Sequence, residues 1–162
     1  MIDPQKFWSS NYYNNPPLSD EMIRMAESEL SVQLPGAYLD LLRIQNGGYT
    51  YGFVYKTDEP TRVAKDHIML ESLAGIIPEP PSQISQNILA TQHLVKEWGL
   101  PDRQVLISGE GHWWITLDYR NGEIPTVMWL DVEFDQELRL AQTFDEFLKG
   151  LIPEVDFNFD ES

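Results

Sequence analysis

Alternation of apolar and polar positions is densest between Val105 and Asp131. Val105–Ser108 is a short β-branched run, Gly109-Glu110-Gly111 turns it, and Trp113–Asp118 reads as a second strand. Asn121-Gly122 gives a second turn and Pro125–Leu130 a third strand. Adjacent strand residues face opposite sides, so one of Trp113 and Trp114 is expected in the core and the other outside it. Upstream, the period changes from two to that of a helix. Ser19 is a good N-cap, Asp20 and Glu21 suit the positive end of the dipole, and Leu18 and Ile23 sit at staple positions. Met22, Met25, Ala26 and Leu30 then predict a buried stripe. Leu34-Pro35 opens a second helix, with Tyr38, Leu41 and Leu42 on one face and Ile44 adjoining, and Asn46-Gly47-Gly48 stops it. The two helices predict a compact αα unit.

Tyr49–Tyr55 follows as a strand, with Tyr49, Tyr51, Phe53 and Tyr55 on one face and Gly52 marking a bulge or a close backbone approach. Lys56 to Asp66 is a polar loop, His67–Leu70 a short strand, and Leu73–Ile77 a candidate for another. Gln86–Trp98 predicts a helix ended by Gly99 and Pro101. The acid–apolar alternation from Asp131 to Asp135 extends the third strand or forms a loop leaving it. Thr143 and Glu146 form a capping box for a last helix that turns Phe144, Phe147, Leu148 and Leu151 inward.

Helices first, strands in the middle and a helix at the end predict an α+β fold, with helices packed beside a mixed or largely antiparallel sheet. A chain of 162 residues fits one domain with a real core. Residues 1–17 read as an arm whose Phe7, Trp8, Tyr12 and Tyr13 dock on the domain itself. Residues 18–152 make up the domain, and 153–162 an acidic tail with few anchors, expected to fray. Pro78–Ser82 is the clearest linker but too short to separate domains.

Charge narrows the function. The net charge of −15 argues against direct binding of nucleic acid or an anionic membrane and favours a cationic partner. Solubility alone is the other explanation of such acidity. There is no cysteine, which excludes disulfides and a catalytic thiol and suits the cytoplasm. The N-terminus has no basic and apolar signal pattern, and no apolar run approaches the roughly 18 residues of a membrane span.

Few residues are placed to carry chemistry. His67, His93 and His112 are scattered and form no metal-binding pair. His112 beside Glu110 has the makings of an acid/base pair, though two polar residues on a surface turn explain it more simply. Gly109-Glu110-Gly111 lacks the spacing and lysine of a phosphate loop. Asp131, Glu133 and Asp135 would share one strand face, either gathering a divalent cation or forming a solvated acidic edge. Neither a metal site nor a cofactor is expected. An exposed tryptophan beside carboxylates suits a protein anchor instead, and helices covering both faces of the sheet are the other explanation of the tryptophans.

Several stretches in order resemble one family. They are Leu34-Pro35 with Tyr38, Leu41-Leu42 and Asn46-Gly47-Gly48; Trp98-Gly99-Leu100-Pro101 before Val105–Ser108; Gly109-Glu110-Gly111 before Leu117-Asp118; Val127, Trp129 and Asp131; and Thr143, Phe144, Phe147 and Leu148. Across roughly Met22 to Leu151 the chain resembles the SMI1/KNR4 (SUKH) superfamily. The glycine turn often carries Asp there, where this chain has Glu110. The resemblance implies a non-catalytic α+β domain. Bacterial members are commonly immunity proteins that bind and block a cognate toxin, often a basic nuclease. Fungal relatives are interaction proteins of cell-wall regulation, which gives the alternative of a regulatory or scaffold module. The residues expected to meet a partner are Glu110, His112, Trp113, Trp114, Asp118, Asp131 and Glu133, with Tyr51 and Tyr55 as additions.

Overall fold

A computed structural model describes residues 2–78 and 86–159. Helices α1 (Asp20–Leu30) and α2 (Gly36–Ile44) lead into strands β1 (Gly48–Lys56) and β2 (His67–Leu73). Helix α3 (Thr91–Trp98) precedes strands β3 (Gln104–Glu110), β4 (Trp113–Asp118), β5 (Thr126–Asp131) and β6 (Gln136–Ala141). Helix α4 (Phe144–Gly150) and a two-residue strand β7 (Ile152–Pro153) follow. One sheet has the order β2-β1-β7 and the other β3-β4-β5-β6, with every strand pair antiparallel. This is an α+β fold.

The four-stranded sheet is covered on both faces, and its alternation separates two clusters. Ile115, Leu117, Val127 and Trp129 join the main core, with Tyr38, Phe53, Phe144 and Phe147. Trp114, Met128 and Leu130 face the other way, against Leu94 of α3 and Leu100. Trp114 is therefore buried, whereas Trp113 on the main-core face is half-buried and stacks on Trp129 with centroids 5.4 Å apart.

Local signals hold where they rest on capping. Ser19 accepts from the Met22 N–H and Thr143 from the Glu146 N–H. Gly99 closes α3 at φ +71. The arm docks through Phe7, which stacks on Phe53, and through Trp8, whose Nε1 donates to the Leu41 carbonyl at 2.9 Å.

Other expectations change under tertiary packing. Along α1 the buried residues are Ile23 and Ala26, and Met25 is exposed. Rather than forming a closed pair, α1 meets the turn at Ile88–Ala90 and α2 meets α4. Asn46-Gly47-Gly48 does more than stop α2. Asn46 is buried, donates from Nδ2 to the Pro16 and Ile76 carbonyls, and accepts at Oδ1 from the Ile76 N–H. A Cβ at Gly47 would lie 2.5 Å from the Gly75 nitrogen, so the motif clamps two distant segments together. A bulge at Gly52 (φ +89) breaks the alternation of β1, turning Tyr49 and Tyr51 outward while Phe53 enters the core.

From Leu73 to Ile77 there is a crossing rather than a strand, with a single bridge at Gly75. The helix expected from Gln86 begins only at Thr91, after a 3-10 turn at Ile88–Ala90 capped by Asn87. The linker expected at Pro78–Ser82 lies outside the described residues after Pro78. β5 stops at Asp131, and residues 132–135 turn back with Asp135 at φ +51, so Asp131, Glu133 and Asp135 share no strand face. The resulting strand, β6, has no counterpart among the sequence expectations. The tail is anchored as far as Phe159, since Ile152 and Pro153 pair with Val54 and Phe53 and both Phe157 and Phe159 pack on His67.

Candidate functional site

The nine expected contact residues divide into three groups. Glu110, His112, Trp113 and Glu133 gather at the β3–β4 hairpin. Glu110 pairs with Trp113, and His112 at the tip sits 3.5 Å from Glu133 and edge-on to Trp98. Tyr51 and Tyr55 lie elsewhere. Tyr51 is exposed on a separate groove of about 640 Å³ beside Phe53 and Val155. The Tyr55 ring packs on Phe147, its hydroxyl donates to the Leu140 carbonyl at 2.6 Å, and its burial raises the phenol pKa. Tyr55 is thus part of the packing between β1 and α4.

Trp114, Asp118 and Asp131 are buried, which corrects their assignment to a contact surface. The Trp114 indole N–H is spent on the Gly111 carbonyl at 2.9 Å. Asp131 receives Arg62 in a fork, at 2.6 Å from Nε and 2.8 Å from Nη2, and accepts the backbone N–H groups of Glu133 and Phe134. Asp118 likewise holds Arg120, which reaches on to Glu137 at 2.8 Å. Burial alone would raise both carboxyls. The arginine and backbone hydrogen bonds override it and hold both below the ordinary aspartate value. These acids close the ends of a sheet and are not free for a ligand.

Glu110 and Trp113 instead form one wall of a cleft of about 480 Å³. The opposite wall is β2, with Met69 and Glu71. Tyr13 of the arm and Tyr49 of β1 line it as well. The Tyr13 hydroxyl donates to the Tyr49 hydroxyl at 3.0 Å, and this bond, together with burial, pushes its pKa up to about 12. Tyr12 packs on both rings. Glu71 and Glu110 are exposed and have no ion pair or side-chain hydrogen bond among the described residues. The chemistry on offer is aromatic area flanked by unneutralised carboxylates, which suits a cationic group.

Sequence reasoning missed Glu71, Met69, Tyr49 and Tyr13 as parts of this cleft. A signal existed for β2, because the alternation begun at His67 continues as far as Glu71. For the tyrosines there was none, since only the fold of the arm across β1 brings Tyr13 to Tyr49.

Among the described residues no helix is long and apolar enough to cross a membrane. No curated protein matches the chain. The model of the SMI1 / KNR4 family (SUKH-1) matches residues 17–150, which run from before α1 to the end of α4 and include β1 to β6. The chain belongs to the SMI1/KNR4 (SUKH-1) family.

Proposed function

We propose that this domain is a non-catalytic protein-binding module, acting in the cytoplasm as an immunity protein that captures and neutralises a basic toxin. The observation that carries the reading is the cleft, where Glu71 and Glu110 stand open beside Tyr13, Tyr49 and Trp113. The two arginines nearest the sheet ends are consumed by Asp131 and Asp118. Their charges are already counted in the chain's net charge of −15, and neither bonds to Glu71 or Glu110 among the described residues. That field steers a cationic protein towards the surface, and rigid aromatic side chains supply contact area once it arrives. Neutralisation then needs only occlusion of the toxin's working surface, with no reaction on this chain. Nucleic acid and anionic membranes are repelled by the same field.

The test is titration of the protein against the toxin encoded beside it. The expected result is full inhibition at one equivalent, with affinity falling as salt is raised. Inhibition that needs catalytic turnover, or no binding to that toxin at any salt concentration, rejects the reading. Selective capture of a host regulatory protein instead would favour the scaffold role found among fungal relatives.

A further inference from the structure

The two sheets touch edge to edge at one backbone bond, where the Ala74 N–H donates to the Ile107 carbonyl at 2.8 Å. From that bond, Ser72 and Glu71 on one edge and Ser108, Gly109 and Glu110 on the other line the same cleft, so the edges run antiparallel. Continuing its register three residues along each chain would place Glu71 opposite Glu110. The strands part instead, and the cleft lies between them. Like charges directly opposite each other disfavour pairing. The β3 edge is also turned by a bulge between Leu106 and Ser108 and by Gly109 at φ +142.

The parted edge of β2 retains pairing capacity. Its inner side serves β1, since the Asp66 carbonyl accepts from the Thr57 N–H and the Leu70 carbonyl from the Thr50 hydroxyl. Alternation from Asp66 and Leu70 then turns the N–H and C=O of Met69 towards the cleft, and the Ala74 N–H, which faces β3, puts those of Ser72 on the same side after an irregularity at Glu71. No backbone partner for them outside the β1 ladder occurs among the described residues. Native proteins protect such edges with charge, and here the guards are two acids. They repel an acidic or second identical chain, which carries the same −15, and attract a basic one. Gln86 also lines the cleft, and its Oε1 is sealed from solvent with no hydrogen-bond partner among the described residues.

We infer that the cleft takes one extended, basic segment of the protein partner, which adds as a strand to the free edge of β2 and sets Lys or Arg side chains between Glu71 and Glu110. Main-chain bonds to Met69 and Ser72 supply affinity, and alternate side chains supply selectivity. Residues facing the aromatic side rest on Tyr49 and Trp113. The inference rests on the proposed function in taking the partner to be a basic protein, and adds how that partner is held.

The probe is a pool of acetylated, amidated hexapeptides with Lys or Arg at alternate positions and any residue but Pro and Cys at the others, passed over the immobilised full-length protein. Retained peptides are expected to bind at least tenfold more weakly to a variant carrying Glu71→Arg and Glu110→Arg, whose circular dichroism and melting point show it folded. They should slow amide exchange at Met69 and Ser72. Methylating their alternate backbone nitrogens in one parity should weaken binding at least tenfold, and in the other parity should not. Failure to retain any peptide, equal binding to the charge-reversed variant, or indifference to methylation in both parities overturns the inference. A toxin that is bound and inhibited while no peptide is retained defeats this inference and leaves the proposed function standing. Peptides held with the expected signature while no toxin is bound do the reverse.

Discussion

Asp118 and Asp131 differ from Glu71 and Glu110 in a way that composition cannot show. The aspartates stand at opposite ends of the β4–β5 ladder, in register with Thr126 and Trp113. Each is buried and met by an arginine from a neighbouring loop or turn. Each arginine also reaches an exposed glutamate, Glu133 or Glu137, so one cation serves two acids. Glu71 and Glu110 lie where the two sheets part, and no cation of the described residues reaches them with a side-chain bond or ion pair. In a chain this acidic, an acidic residue alone does not mark a binding surface. What distinguishes one is whether the chain's own few cations have already been committed elsewhere.

Truncation separates the two kinds of acid most directly. Asp131→Ala removes a buried carboxylate that accepts from Arg62 and from two backbone N–H groups. It should cost about 3–4 kcal/mol in urea-unfolding free energy. Asp118→Ala should cost somewhat less, about 2–3 kcal/mol, because one backbone N–H, that of Arg120, is orphaned rather than two. Glu71→Ala and Glu110→Ala should stay within about 0.5 kcal/mol of the parent, as exposed substitutions do. Equal losses at all four positions would remove the distinction.

Acid offers a second and smaller lever. The folded-state pKa of Asp118 and Asp131 lies below their ordinary value of 3.8. Their contribution to stability is therefore complete above that value. It is lost as pH falls below it through the folded-state pKa. The urea midpoint should drop steeply below about pH 3.8, and the double variant Asp118→Asn, Asp131→Asn should show a shallower acid limb. A limb unchanged by the double variant would mean that other carboxylates carry the acid response.

Elements defined by local chemistry were legible in the sequence. The Ser19 and Thr143 caps, the Gly99 stop and the β4 strand need only neighbours a few residues away. What escaped needs distant ones. Asn46 reads as a helix terminator until Ile76 and Pro16 are seen to use its side chain. Asp131 reads as an exposed acid until the loop after β1 delivers Arg62, whose guanidinium also lies 4.8 Å from the Phe134 ring. β6 was hidden because its alternation, Gln136 to Ala141, follows a turn whose acids imitate strand periodicity. At the cleft, Glu110 and Trp113 were legible from the hairpin that carries them. Glu71, Tyr13 and Tyr49 became a group only through the path of the arm and the parting of two sheets.

The smallest expected effect tests the cleft itself. Glu71→Lys replaces the repulsion across the parted edges with an attraction to Glu110. An opposite-charge cross-strand pair at such an exposed site should stabilise the fold by about 0.2–1 kcal/mol in low salt. The gain, read as a rise in urea midpoint, should fade as added salt screens it. It should also vanish in the background of Glu110→Gln, because a double-mutant cycle isolates the pair. No coupling between positions 71 and 110 would place the two carboxylates too far apart to repel, and the separation of β2 from β3 would then rest on the bulge and Gly109 alone. Coupling of the expected sign would make the same two charges responsible for holding the cleft open and for selecting what enters it.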